Sequence, residues 1–355
     1  MASGIWCLNG SDRFIPPTRN GVGPSCVALP AGPWAHVLEF LQQRFPSMTA
    51  QVWLDRMARG DVIDTTGQVL TPETAVHAPY RPHTRLYYYR EVPDEPAIPF
   101  EAEVLYQDEH LVVVDKPHFL PVVPSGGYLN ETVLVRLKRQ LGIDSLAPIH
   151  RIDRDTAGLV MFSVQPAARA AYAALFSQRR VRKTYQAIAP TREDLPLPAE
   201  RHSRIASADH FMLQREVDGP VNAITQLAVL EVRGEWARYQ LRPLTGQRHQ
   251  LRVHMMALGR PIRHDGLYPI LSPEGSSDYQ RPLQLLAQQL VFTDPVTGRV
   301  RHFESRRSLN LACATALATG RGFCTRQPKF AGPSARRRRA RKPLQARHRR
   351  QPCGR

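Results

Sequence analysis

Two charged constellations hold residue types that can do chemistry. The first is His150-Arg-Ile-Asp-Arg-Asp-Thr-Ala-Gly158, where two arginines alternate with two aspartates beside apolar Ile149, Ile152 and Leu159-Val-Met-Phe162. A core strand would not hold these charges, because an unpaired charge is costly to bury. A loop at the mouth of a cleft would. Asp153 can then act as a nucleophile or an acid-base group. Arg151 and Arg154 can hold phosphates or a base. The plain alternative is a surface turn with local salt bridges. The second constellation is Gly246-Gln-Arg-His-Gln-Leu-Arg-Val-His254. Read as a helix from Gly246 to about Leu258, it puts Arg248 and Arg252 on one face at i, i+4 and makes His249 a neighbour of Arg252. Leu251, Met255 and Leu258 form the core stripe behind them. Such a cationic face suits an acidic group in a cleft, and a solvated basic face is the plain alternative. His249 and His254 are five apart and fall on different faces, so no shared metal is expected. No His-Glu-x-x-His pattern occurs either.

The surrounding elements must position these groups. Residues 1–33 are rich in Gly, Pro and Ser and read as an irregular leader. Residues 34–95 read as a small α+β module. Trp34, Val37, Leu38 and Leu41 recur at helical spacing, and a second helix is expected over Ala50–Ala58, ended by Gly60. Val62–Leu70 reads as a hairpin around Gly67, and Arg85–Arg90 as a closing strand. Arg56, Arg59 and Tyr87–Tyr89 are its candidate RNA contacts. Pro93–Pro99 is a stiff linker. Residues 96–308 then carry strands at 111–115, 183–189, 224–232, 236–243, 283–292 and 299–303, a strand–loop–strand over 149–164, and helices at 133–141 and 166–176. Interspersed this way, they predict a mixed α+β domain. Residues 309–355 read as a basic, disordered tail lacking the apolar residues of a core.

The 355 residues carry a formal net charge of +17, of which 13 charges come from Lys and Arg in residues 321–355, a stretch without Asp or Glu. The tail is suited to phosphates, while the body is only mildly basic. Cys7, Cys26, Cys313, Cys324 and Cys353 are odd in number and contain no Cys-x-x-Cys pair, which argues against a disulfide framework or a structural zinc. No apolar run reaches the length of a membrane span. Met1–Arg19 has no basic-then-apolar signal, so a cytoplasmic protein is expected.

The chain resembles the RluA-type family of RNA pseudouridine synthases over about residues 100–305. The resemblance rests on ordered segments: Val104–Pro117, His150–Gly158, Lys183-Thr-Tyr-Gln-Ala187, Pro243–His254, His264-Asp-Gly-Leu-Tyr268, Leu285–Leu290 and Phe292–Gly298. It implies the pseudouridine synthase fold, with a mainly antiparallel central sheet and flanking helices. It likens residues 34–95 to the small RNA-binding module found before such domains. It implies Asp153 as the essential aspartate, paired with Arg252, and Tyr185 stacking on the base. Arg151 would insert into the RNA to extrude the uridine. Leu285 and Leu286 would line the apolar wall, and Arg154, Lys183 and His249 would bind substrate. The implied reaction converts uridine to pseudouridine in structured RNA, either ribosomal (23S first) or transfer RNA. The enzyme would act as a monomer with no cofactor and no metal. Base extrusion costs a few kcal/mol, which stacking and arginine insertion offset. Gln247 stands where the family has arginine, and Leu286 where it has histidine; each is expected to alter local detail. Two other readings stay open: a metal-dependent nuclease using Asp153 and Asp155, and a non-catalytic RNA-binding protein.

Overall fold

Helix stripes and strand alternation resolve into fourteen strands and six α-helices among the described residues. The computed structural model describes residues 14, 16–77, 79–273 and 278–311. Residues 312–355 of the expected tail and every cysteine except Cys26 lie outside them, whereas the tail's first residues depart from expectation, since Leu309 and Leu311 are buried in the core. No helix among the described residues is long and apolar enough to cross a membrane.

The first elements are β1 (Ser25–Ala28), α1 (Val37–Arg44), α2 (Ala50–Ala58), β2 (Val62–Asp64), α3 (Pro72–His77) and β3 (Arg85–Tyr88). The strands form a small antiparallel sheet in the order β1–β3–β2. The Thr49 hydroxyl caps α2 by accepting the Val52 N–H, and Gly60 follows the helix with φ +75°, as the sequence predicted. Trp53, Leu41, Phe40 and Met57 fill the space between helices and sheet. The leader departs from expectation in its second half. Ser25–Ala28 is a strand, and Val27 and Leu29 are buried. Its partner β3 lies some 60 residues on, beyond the reach of local periodicity. The expected RNA contacts of this module are also otherwise engaged. Arg56 and Tyr87–Tyr89 are all buried, and Arg59 is paired with Asp61 and Glu91. The three tyrosines pack into cores and cannot stack on bases.

The large sheet comprises β4 (Glu103–Gln107), β5 (Leu111–Lys116), β6 (Ala147–Pro148), β7 (Ala157–Ser163), β8 (Arg182–Pro190), β9 (Glu200–Ser207), β10 (Gln214–Val217), β11 (Ala223–Arg233), β12 (Trp236–Pro243), β13 (Leu285–Thr293) and β14 (Val300–Glu304). Its order is β10–β9–β11–β12–β8–β13–β7–β5–β4, with β14 on β13 and β6 on β7. Helix α4 (Val133–Leu141) precedes β6, and α5 (Arg169–Ser177) follows a 3-10 turn after β7. β5 and β7 are buried along their whole length because both faces are covered. Val112, Val114, Val160 and Phe162 meet α4, while Leu111, Val113, Leu159 and Met161 meet α5. Helix α6 (Gln250–Ala257) lays Leu251 and Met255 on β8, β11 and β12.

Every pairing in this sheet is antiparallel except β13 with β7, which join through only Leu286↔Ala157 and Ala287↔Gly158. Gly158 has φ +110°, and a Cβ there would sit 2.3 Å from the Ala287 carbonyl oxygen. Only glycine allows the two strands to approach so closely. Two further differences from expectation matter for the site. Strands β9 and β10 were not expected, since Glu200–Ser207 is largely polar and charged. Helix α6 begins at Gln250 instead of Gly246, because the Gln250 side chain holds the preceding turn, accepting the Gln247 N–H and the Thr245 hydroxyl.

Candidate active site

Asp153 lies on the loop between β6 and β7, and the loop is fixed from beneath. Lys116 ends β5 wholly buried, and its Nζ donates to the carbonyls of Pro117, Leu120 and Arg154 at 2.8–2.9 Å. Three carbonyls match the three protons of an ammonium. Burial pushes this lysine down to about 7, while Asp155 and Asp153 pull it back up. At the loop's start, His150 stacks on Phe176 and its Nε2 accepts the Met161 N–H. Burial lowers His150 to about 3, so it stays neutral and structural. The His118 Nδ1 holds the Asp155 carbonyl at 2.7 Å. The Asp155 carboxylate takes the Arg154 Nε at 2.9 Å. The two aspartates thus part company: Asp155 secures the loop, and Asp153 faces the cavity with 28% of its side chain exposed.

Arg252 rises from α6 to meet Asp153, with Nη1 donating to Oδ2 at 3.3 Å. Its stronger grip is on Asp265, through Nε at 2.9 Å and Nη2 at 2.5 Å. The Asp265 carboxylate is fully buried and also accepts the N–H groups of Leu267 and Tyr268. Burial opposes the charge on Arg252, but Asp265 and then Asp153 hold it far above its ordinary pKa. The His249 Nε2 stands 3.9 Å from Asp153, and its Nδ1 shares a hydrogen bond with the Tyr268 hydroxyl at 3.0 Å. Burial pushes His249 below its ordinary value against the pull of Asp153. Asp153 therefore faces one fixed cation and one imidazole that burial keeps from charging easily.

Tyr185 and Lys183 alternate on one face of β8, as period-two geometry requires. Burial, then Asp153, raises the Tyr185 hydroxyl, so it stays protonated. The Lys183 Nζ donates to the Thr245 carbonyl at 3.1 Å, and burial lowers it to about 8. These groups and Leu285 line a cavity of about 1010 Å³. Arg151 is exposed at its mouth, and Arg154 lines it while paired with Asp155 and bonded to the Tyr128 hydroxyl.

Two expectations need correction. Leu286 is not on the pocket wall. It points to the opposite face of β13 and packs with Ala157, Ile188, Leu309 and Leu311, so it contributes nothing to the pocket lining. Arg248 does not share a helix face with Arg252. It precedes α6, is exposed, and donates to the carbonyls of Phe211 and Met212. Gln247 stands at the cavity rim with its amide towards the Asn222 carbonyl, so it takes a local structural bond. Asp265, Tyr268 and Lys116 were not expected at the site. The first two lie in His264–Tyr268, and Lys116 is a lone cation ending an apolar strand, a signal that was visible.

The family model for RNA pseudouridylate synthase matches residues 110–257. A protein of Synechocystis sp. described as an uncharacterized RNA pseudouridine synthase is 31% identical over 238 residues, which are 65% of this chain and 79% of that one. The dual-specificity RNA pseudouridine synthase RluA of Haemophilus influenzae is 32% identical over 218 residues, 58% of this chain and 92% of its own. The chain belongs to the RluA-type RNA pseudouridine synthases. Among solved structures, human RNA pseudouridylate synthase domain containing 4 is 27% identical, covers 59% of this chain and 89% of its own, and superposes with a TM-score of 0.46. As a pseudouridine synthase the protein is an RNA-modifying isomerase. The segment matched by the family model runs from β5 through α6 and so includes Asp153, Tyr185, His249 and Arg252. Asp265 and Leu285 fall beyond it.

Proposed function

We propose that this synthase isomerises specific uridines in structured RNA, ribosomal RNA (23S first) or transfer RNA, with Asp153 as its catalytic carboxylate. The observation that carries the reading is the placement of Asp153: partly exposed in a cavity, on an anchored loop, against an arginine that a second carboxylate immobilises. In the reaction the C1′–N1 bond breaks and a C1′–C5 bond forms, while C5 gives up its proton and N1 gains one, so no atom is gained or lost. Asp153 either attacks the sugar or accepts a proton from it during cleavage. Arg252, hydrogen-bonded to the carboxylate, aims it. Tyr185 stacks against the base and keeps it from leaving, and Leu285 supplies the apolar wall that limits water. Lys183, His249 and Arg154 hold the substrate, and Arg151 enters the space vacated by the extruded uridine. The same reading assigns catalysis to residues 96–308 of a cytoplasmic monomer, with residues 34–95 as an accessory module. The test is Asp153→Ala, read by pseudouridine mapping of RNA from cells lacking the gene and complemented with either form. The variant is expected to restore no site that the wild type restores. Restoration by the variant would end the assignment.

A further inference from the structure

The hairpin of β9 and β10 carries an exposed aromatic residue that nothing above uses. Phe211 sits at its turn, 73% exposed. A single exposed apolar side chain is unremarkable, but this one is held in place. The His210 imidazole lies against the Phe211 ring, with centroids 4.9 Å apart and planes 29° from parallel. His210 is fixed in turn, since its Nδ1 accepts the Met212 N–H at 3.3 Å and its carbonyl accepts the Leu213 N–H at 2.9 Å. Arg248, on the cavity rim, clamps the carbonyls of Phe211 and Met212 at 3.0 and 3.1 Å. The hairpin is also tied to the site from below. The Gln214 N–H donates to the Tyr268 hydroxyl, which bonds His249 beside Asp153.

We propose that Phe211, backed by His210, is a stacking platform for an unpaired base next to the target uridine. The enzyme therefore selects uridines in loops or single strands over uridines in continuous duplex. One face of the phenyl ring is covered by the imidazole, which leaves the other for a base. Every base has a face that stacks on an aromatic ring, whereas the bases of a duplex already stack on one another. The rim favours RNA as the occupant. Arg248 holds the backbone of the platform, Arg151 and Arg179 also line the cavity, and the nearby Asp209 is paired with Arg215. Phe211 is a positioning residue, and this inference rests on the cavity being the uridine site.

The test compares Phe211→Ala, Phe211→Leu and Phe211→Trp in an Asp153→Ala background that prevents turnover. The probes are a labelled oligouridylate of about 12 nucleotides, within the span of such sites, and an RNA duplex of equal length. Phe211→Ala and Phe211→Leu are expected to weaken oligouridylate binding roughly five- to a hundredfold. Phe211→Trp is expected to keep it, and duplex binding should not move. With Asp153 intact, Phe211→Ala should raise KM for RNA from cells lacking the gene and leave kcat unchanged. Unchanged oligouridylate binding in Phe211→Ala would overturn the proposal. So would full retention by Phe211→Leu, equal losses on the duplex, or an altered sedimentation showing that Phe211 instead seats a second copy of this chain. Turnover by Asp153→Ala itself would defeat the catalytic assignment and leave the binding comparison intact.

Discussion

Arg252 is shared unequally between two carboxylates, and the inequality fixes what each does. Asp265 takes two short bonds and Asp153 one longer one, so Asp265 orients the guanidinium and Asp153 receives its field. Removing one partner of a buried pair leaves an uncompensated charge, worth about 3–5 kcal/mol. Asp265→Asn should therefore lower stability in urea by about that amount and reduce turnover with it. Loss of turnover at unchanged stability would mean that Asp265 does not hold the arginine. Arg252→Lys should also fail, since an ammonium cannot reproduce a bidentate grip. The resemblance drew attention to Asp153 and Arg252, but no sequence spacing measures their distance from Asp265. His254 is wholly buried between the Ser203 and Thr225 hydroxyls. Burial lowers it to about 4, with Glu216 opposing. Above pH 6.5 it is neutral folded or unfolded. Between 6.5 and about 4 the unfolded chain takes up a proton that the folded chain refuses. Stability is thus fully present above pH 6.5 and falls with acid by up to about 1.4 kcal/mol per pH unit. Thermal melts between pH 7 and pH 4.5 should show a shallower fall for His254→Gln than for the wild type.

Among the elements, those with local punctuation were legible and those relying on distant partners were not. Helix α2 was marked by its apolar stripe and Gly60, and α4 by its stripe and Gly142. β1 and the β9–β10 hairpin had no such marks, because their pairing supplies what their composition lacks. Leu286 is a different case. Adjacent residues of a strand face opposite ways, so its separation from Leu285 could have been read from sequence. The two-pair join of β7 and β13 depends on Gly158. Gly158→Ala combines a strained φ with a backbone collision and should cost about 2–5 kcal/mol in urea denaturation. Gly142→Ala also has positive φ, but nothing lies within 4 Å of its Cβ. It should cost only about 1–2 kcal/mol. Equal losses at the two glycines would show that close approach is not what the join demands.

For the whole molecule, charge and chemistry are separated along the chain. Most of the net charge lies beyond residue 320, outside the described residues, while the cavity draws on residues of the body. Truncation after Leu311 should leave kcat at saturating RNA unchanged and flatten the salt dependence of binding, by about 0.7–0.9 in log–log slope for each phosphate the tail neutralises. A salt series on both forms measures this directly, and identical slopes would show that the tail touches no RNA. The β7–β13 join also divides the site. Asp153 belongs to the β7 side, whereas Tyr185, His249 and Arg252 belong to the side that runs from β13 through β8 to β10. The ribosome makes these two sides in sequence. Asp153 emerges 99 residues ahead of Arg252, roughly 5–20 s earlier at ordinary rates of synthesis. β13, which ties the two sides together, comes later still. A nascent chain therefore holds Asp153 well before it holds Arg252 or the strand that ties the two sides of the cavity together.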